Sequence, residues 1–112
     1  MMTASDYLRY VEADGRRWNY WTRELTDFQK ATDFLRYRIL LSLAPAPGPL
    51  PVADLGCGDG FLSYMLAQRG YRTLSVDLSL ERLRKARGAA GGAVRGVQGN
   101  ICAIPLAGGS CG

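Results

Sequence analysis

Val52-Ala53-Asp54-Leu55-Gly56-Cys57-Gly58-Asp59-Gly60-Phe61-Leu62-Ser63-Tyr64-Met65-Leu66 is the stretch that decides the fold of this 112-residue chain. Val52 to Leu55 reads as a short buried strand, and three glycines, Gly56, Gly58 and Gly60, follow it at once. Glycines where a strand turns into a helix let the backbone take angles closed to other residues, and let a ligand approach the main chain. Phe61, Leu62, Met65 and Leu66 then share one helical face, and Gly70 supplies a C-terminal stop, so the spacing predicts a helix over 61–69.

Downstream, Arg72 to Asp77 reads as a second strand ending in a carboxylate. Ser79 is placed to cap another helix, with Glu81 in its first turn and Arg84, Lys85 and Arg87 near its end, as the macrodipole prefers. Gly88 to Gly92 read as a flexible connector, and Val94 to Gln98 as a weak third strand. Strand, helix, strand, helix, strand is the signature of βαβ units on a parallel sheet. Asp77 stands 21 residues after Gly56. A carboxylate about 20 residues beyond such a turn accepts hydrogen bonds from ribose hydroxyls. The combination predicts a nucleoside lying across the strand ends. A dinucleotide fingerprint needs G-x-G-x-x-G, whereas here Phe61 holds the sixth position. Asp54 and Asp59 beside the loop suit an amino group or sulfonium better than a diphosphate, so NAD is disfavoured.

Upstream, four of the five prolines fall within residues 45–51, which favours an extended connector. Trp18, Trp21, Leu25, Phe28, Leu35 and Ile39 recur at steps that sum to turns of a helix, one apolar face of an amphipathic segment with a break near Thr26-Asp27. A shorter helix precedes it, with Tyr7, Leu8 and Val11 on one side and Asp14-Gly15 as its end. The expected organisation is therefore a helical cap over 1–44, a Pro-rich connector over 45–51 and an α/β unit over 52–112.

Composition narrows the chemistry. Hydrophobic residues make up 47% and charged residues 21%, an ordinary globular mixture. Histidine is absent, so this stretch alone builds no Ser-His-Asp or Cys-His relay and no His-ligated metal. Cys57, Cys102 and Cys111 are too few and too irregularly spaced for a disulfide framework or a tetrahedral zinc site, which fits a reducing compartment. No metal is expected. A net charge of +4 permits an anionic partner without demanding one. Met1 to Asp6 lack a basic region followed by an apolar one, and the longest apolar run, near Ile39 to Ala44, is far short of the ~20 residues of a membrane span. The expectation is a soluble, cytoplasmic protein with no membrane partner.

The motifs together resemble a known family. Residues 52–60 resemble the first motif of class I S-adenosylmethionine-dependent methyltransferases, especially the small-molecule "type 11" branch; Ser75-Val76-Asp77-Leu78-Ser79 resembles the second. Gly99-Asn100-Ile101-Cys102-Ala103-Ile104-Pro105-Leu106 resembles the third, with Asn100 where the family usually has Asp and Leu106 where it has Phe. The resemblance implies a Rossmann-like parallel sheet, of which the first three strands are present, preceded by the N-terminal helical cap. It implies S-adenosylmethionine as cofactor. Carried over, Gly56, Gly58 and Gly60, with Cys57 between them, line its methionine portion, and Asp54 holds its amino group directly or through water. Asp77 binds both ribose hydroxyls, Leu78 lies against the adenine, Asn100 accepts from the adenine amino group and Ile101 sits beside the ring. A small-molecule acceptor is implied, a nucleic-acid or protein acceptor stays open, and no catalytic residue is assigned.

Each feature also has a plainer reading. Asp77 alone reads as a helix cap, Cys57 as a small packing residue, and Trp18 and Trp21 as cap core. Arg82, Arg84, Lys85, Arg87 and Arg95 read as a solvated face. The alternative function is a non-catalytic nucleoside-binding or interaction module of the same fold. Because the family continues into a fourth strand beside the first, the 112 residues alone are expected to leave Val52 to Leu55 as an open edge that self-associates, and to be inactive in methyl transfer.

Overall fold

Downstream of the prolines, the strand and helix stretches fold in the order their patterns dictate. A computed structural model describes residues 3–17 and 27–112. Two helices come first, α1 (Ala4–Arg17) and α2 (Asp27–Leu43). The α/β unit follows as β1 (Val52–Leu55), α3 (Phe61–Gln68), β2 (Thr73–Asp77), α4 (Leu80–Ala90), a single 3-10 turn (Gly91–Ala93) and β3 (Gly96–Gln98). The sheet is wholly parallel in the order β1-β2-β3. Val52 pairs with Thr73 and Leu55 with Val76; Ser75 pairs with Gly96 and Asp77 with Gln98. Among the described residues β1 pairs with β2 alone.

The centre of the molecule lies where α3 and α4 meet β2. Val76, Val94, Leu66, Leu83 and Ala86 are buried there. Hydroxyls share this interior and are satisfied within it: Ser63 Oγ donates to Asp54 Oδ2 at 2.7 Å and lies 2.7 Å from Ser75 Oγ. Buried polar atoms without such partners would oppose folding. Ser79 caps α4 as predicted, its side chain accepting from Arg82 N–H at 3.2 Å.

Three local expectations change. The helix α1 does not stop at Asp14-Gly15 but runs on to Arg17. Gly15 is buried in it, and a Cβ there would run into Ser79 Oγ, so the glycine serves helix contact rather than termination. The Gly88–Gly92 connector is largely helical, since α4 continues to Ala90. The α2 stripe forms a helix yet is not a packed face among the described residues: Phe28 is 80% exposed, and Leu35 and Ile39 are also exposed. On the other side of α2, Leu41 is buried and the Tyr37 ring lies 5.5 Å from that of Phe61. Trp18, Trp21 and Leu25 lie outside the described residues.

Candidate nucleoside-binding site

A parallel sheet presents all its carboxyl ends at one edge, and ligands of such sheets bind in the crevice beyond that edge. Here the crevice is a cavity of about 440 Å³, within the usual range for small-molecule sites. Gly56, Asp77, Leu78, Asn100 and Ile101, all expected from sequence, line it. Gly99 and Cys102 from the segment after β3 complete that side, and Tyr7 and Val11 of α1 form another wall. No sequence signal marked Tyr7 and Val11 as site residues, because a helix's apolar face does not say which layer it will cover.

The glycine loop is built around Asp77. Gly58 N–H donates to Asp77 Oδ2 at 2.9 Å and Ser79 N–H donates to Oδ1 at 2.8 Å. Gly56 and Cys57 N–H both donate to Val76 O, at 2.8 and 3.0 Å. Asp77 therefore clamps the β1–α3 turn to the β2–α4 turn while facing the cavity, and each carboxylate oxygen keeps a second lone pair for a ligand. The glycines differ in purpose. Gly56 has φ +71° with open space where a Cβ would stand, as a ligand-facing backbone requires. Gly60, at φ +81°, is buried instead against Ala86 and Val94, where it permits close approach of α4.

Asp54, Cys57 and Gly58 are not among the residues that line the cavity. Burial raises the Asp54 carboxyl above its ordinary 3.8, opposed by the Ser63 hydrogen bonds. Burial, with Asp77 and Asp54 nearby, pushes the Cys57 thiol up to about 12, so it is a neutral packing group at physiological pH. Asp59 does not add charge to the cavity. Its side chain is 1% exposed and meets Arg82 Nη1 at 3.2 Å, which also removes Arg82 from the solvated face. Asn100 Oδ1 accepts from Cys102 N–H at 2.8 Å, an Asx turn that fixes the side chain at the cavity rim.

The Asp54 arrangement sets a pH dependence. The folded chain holds this proton to higher pH than the unfolded chain, so its contribution to stability is greatest below about 3.8 and is lost as pH rises through the raised value. Asp54→Asn keeps an oxygen for Ser63 and removes the buried charge. The variant's gain in thermal midpoint over the wild type is expected to be larger at pH 7 than at pH 4; an equal difference at both would contradict the burial argument.

Residues 52–112 match the family described as a methyltransferase domain. A malonyl-[acyl-carrier protein] O-methyltransferase of Pectobacterium atrosepticum is 43% identical over 68 residues, which is 61% of this chain and 26% of that protein. The Hamiltonella defensa enzyme of the same name is 53% identical over 36 residues, 32% of this chain and 14% of its own length. The chain thus spans about a quarter or less of these curated relatives. Among solved structures, the magnesium protoporphyrin IX methyltransferase of Synechocystis PCC 6803 with bound SAH superposes with TM-score 0.63 at 26% identity, covering 88% of this chain and 51% of that one. The CcbJ methyltransferase of Streptomyces caelestis gives 0.56 at 25% identity over 88% and 38%. Motif, sheet order and matched span agree, and the chain belongs to the methyltransferase domain family.

Proposed function

We propose that this chain is the cofactor-binding part of an S-adenosylmethionine-dependent methyltransferase, with residues 52–112 as the binding unit, 45–51 as connector and the helical cap over it. The observation that carries the reading is a crevice whose wall combines Asp77, the open backbone at Gly56, the apolar Leu78 and Ile101, and Asn100. Those groups fit a nucleoside with an attached amino acid: a carboxylate for the ribose hydroxyls, apolar surface for the purine, an amide for its amino group and glycine backbone for the methionine portion. When bound, the cofactor would supply an activated sulfonium methyl group for transfer to an acceptor. The chain's own residues bind and orient: Asp77 would hold the ribose and fixes the loop, while Asp54 ties the end of β1 to α3 and β2 through Ser63 and Ser75.

The acceptor is proposed to be a small organic molecule or group, as the relatives' names suggest for those proteins. No helix among the described residues is long and apolar enough to cross a membrane. Three free cysteines suit a reducing cytoplasm. The open flank of β1 is proposed as a surface for self-association.

The test uses a built-in reporter. Cys102 is exposed and lines the cavity, whereas Cys57 is half-buried and does not. Iodoacetamide labelling followed by mass spectrometry should modify Cys102 well before Cys57. S-adenosylhomocysteine is expected to slow Cys102 labelling by about tenfold at saturation, by occupying the crevice. NADPH should give no protection, since Asp77 repels a 2′-phosphate. Protection by NADPH alone would reverse the assignment of the nucleotide.

A further inference from the structure

Tyr7 and Val11 bring α1 to the crevice, and the next turn of the same helix carries Glu12, Asp14 and Gly15. Tyr7, Val11 and Gly15 follow at four-residue steps and so form one stripe. That stripe is fastened at its far end. Glu12 accepts from Leu80 N–H at 2.6 Å and from Glu81 N–H at 3.1 Å. These are N–H groups at the start of α4 that have no partner inside the helix, and a carboxylate there is also favoured by the helix dipole. Arg82 spreads its guanidinium between two carboxylates, Nη2 to Asp14 Oδ2 at 2.8 Å and Nη1 to Asp59 Oδ1 at 3.2 Å. Asp59 sits between Gly58 and Gly60 in the glycine loop, so the bridge runs from α1 through α4 into that loop. The Lys85 ammonium donates to Gly15 O. Exposed ion pairs contribute little, but Arg82 is 23% exposed and Asp59 almost wholly buried, where attraction is less screened.

From this arrangement we infer that α1 is a pinned wall of the nucleoside crevice, and that Glu12 and the Asp14–Arg82–Asp59 bridge are positioning groups that set cofactor affinity through Tyr7 and Val11. The inference rests on the nucleoside reading of the crevice. The pinning contacts fall on both elements that Asp77 clamps, the glycine loop and the start of α4. The wall and the ribose carboxylate therefore share one frame. Releasing α1 leaves Asp77 and the glycine loop in place but removes the apolar cover from the bound purine and ribose.

The test is calorimetric titration of S-adenosylhomocysteine into the purified protein, its Tyr7→Ala variant, the Glu12→Ala/Asp14→Ala variant, and the three changes combined. Each set is expected to weaken binding by about five- to thirtyfold, the lower part of the range typical of coupled sites. The combined variant should be less than about twofold weaker than the Glu12/Asp14 variant, because the pin and the wall act as one unit. A merely structural role for the pin would instead give losses that multiply. Glu12→Gln, which keeps an acceptor for the α4 N–H groups, should recover part of the affinity and serves if the double variant does not fold. Multiplying losses, or affinities equal to wild type in the Glu12 and Asp14 variants, overturn the inference while leaving the nucleoside site intact. Failure of the wild type to bind overturns the nucleoside reading itself.

Discussion

Asp77→Ala is expected to weaken S-adenosylhomocysteine binding by about ten- to a hundredfold. A hydrogen bond to a charged group contributes roughly 1.5–3 kcal/mol, and about 1.4 kcal/mol is one decade of affinity. The side chain acts twice, once toward the expected ribose and once in holding Gly58 and Ser79 N–H at 2.9 and 2.8 Å. Alanine therefore removes the ligand contact and frees the loop that shapes the rest of the crevice. Asp77→Asn should recover little, because its amide NH₂ would face one of those two N–H donors. The measurement is calorimetry well below the thermal midpoints of all three proteins, with the ligand-free midpoints recorded beside it. Both variants should also melt earlier than the wild type, since two backbone donors lose an acceptor or its charge. Equal affinity for wild type and Asp77→Ala would remove Asp77 from the binding site.

The parts of this architecture that were legible in the sequence are those whose cause is local. A strand of four apolar-weighted residues running into three spaced glycines and then a helical face has one economical fold, and β1, the turn and α3 follow it. The carboxylate at the end of β2 was legible because strand length and Ser79 capping together fix where Asp77 must stand. The purposes that depend on a distant neighbour were not legible. The family resemblance groups Gly60 with Gly56 as ligand-lining, whereas the fold sets it against Ala86 and Val94, residues no local pattern connects to it. Arg82 belongs by sequence to a basic helical face, and only tertiary structure brings Asp14 and Asp59 to its two ends. Gly15 reads as a helix stop because nothing nearby reveals that Ser79 will press on it. Tyr7 and Val11 reach the crevice for the same non-local reason.

Gly60→Ala is expected to cost the fold more than any other single methyl group added to the glycine loop. Gly60 has φ +81° and ψ 16°, a left-handed conformation that costs an L residue roughly 1–2 kcal/mol. A Cβ there would lie 2.7 Å from Ala86 Cβ and 3.2 Å from Val94 Cγ2, far inside the ~3.5–4.0 Å of a normal carbon contact. Neither neighbour yields easily, since Ala86 and Val94 are both 0% exposed and have no flexible end to swing away. Overpacking of that kind adds about 1–3 kcal/mol. The sum, about 2–5 kcal/mol, corresponds to a fall in thermal midpoint of about 10–25 °C for a domain of this size. Gly56→Ala separates the two causes. At φ +71° with open space beside it, that variant carries the backbone cost alone, about 1–2 kcal/mol, and loses affinity instead because its Cβ stands at the crevice. Adding Ala86→Gly to Gly60→Ala removes the closest clash and should restore part of the lost midpoint, despite the ~1 kcal/mol that glycine costs inside a helix. Thermal denaturation of the four proteins checks the partition. Equal midpoints for Gly56→Ala and Gly60→Ala would mean that backbone strain, not the contact with Ala86 and Val94, is what reserves position 60 for glycine.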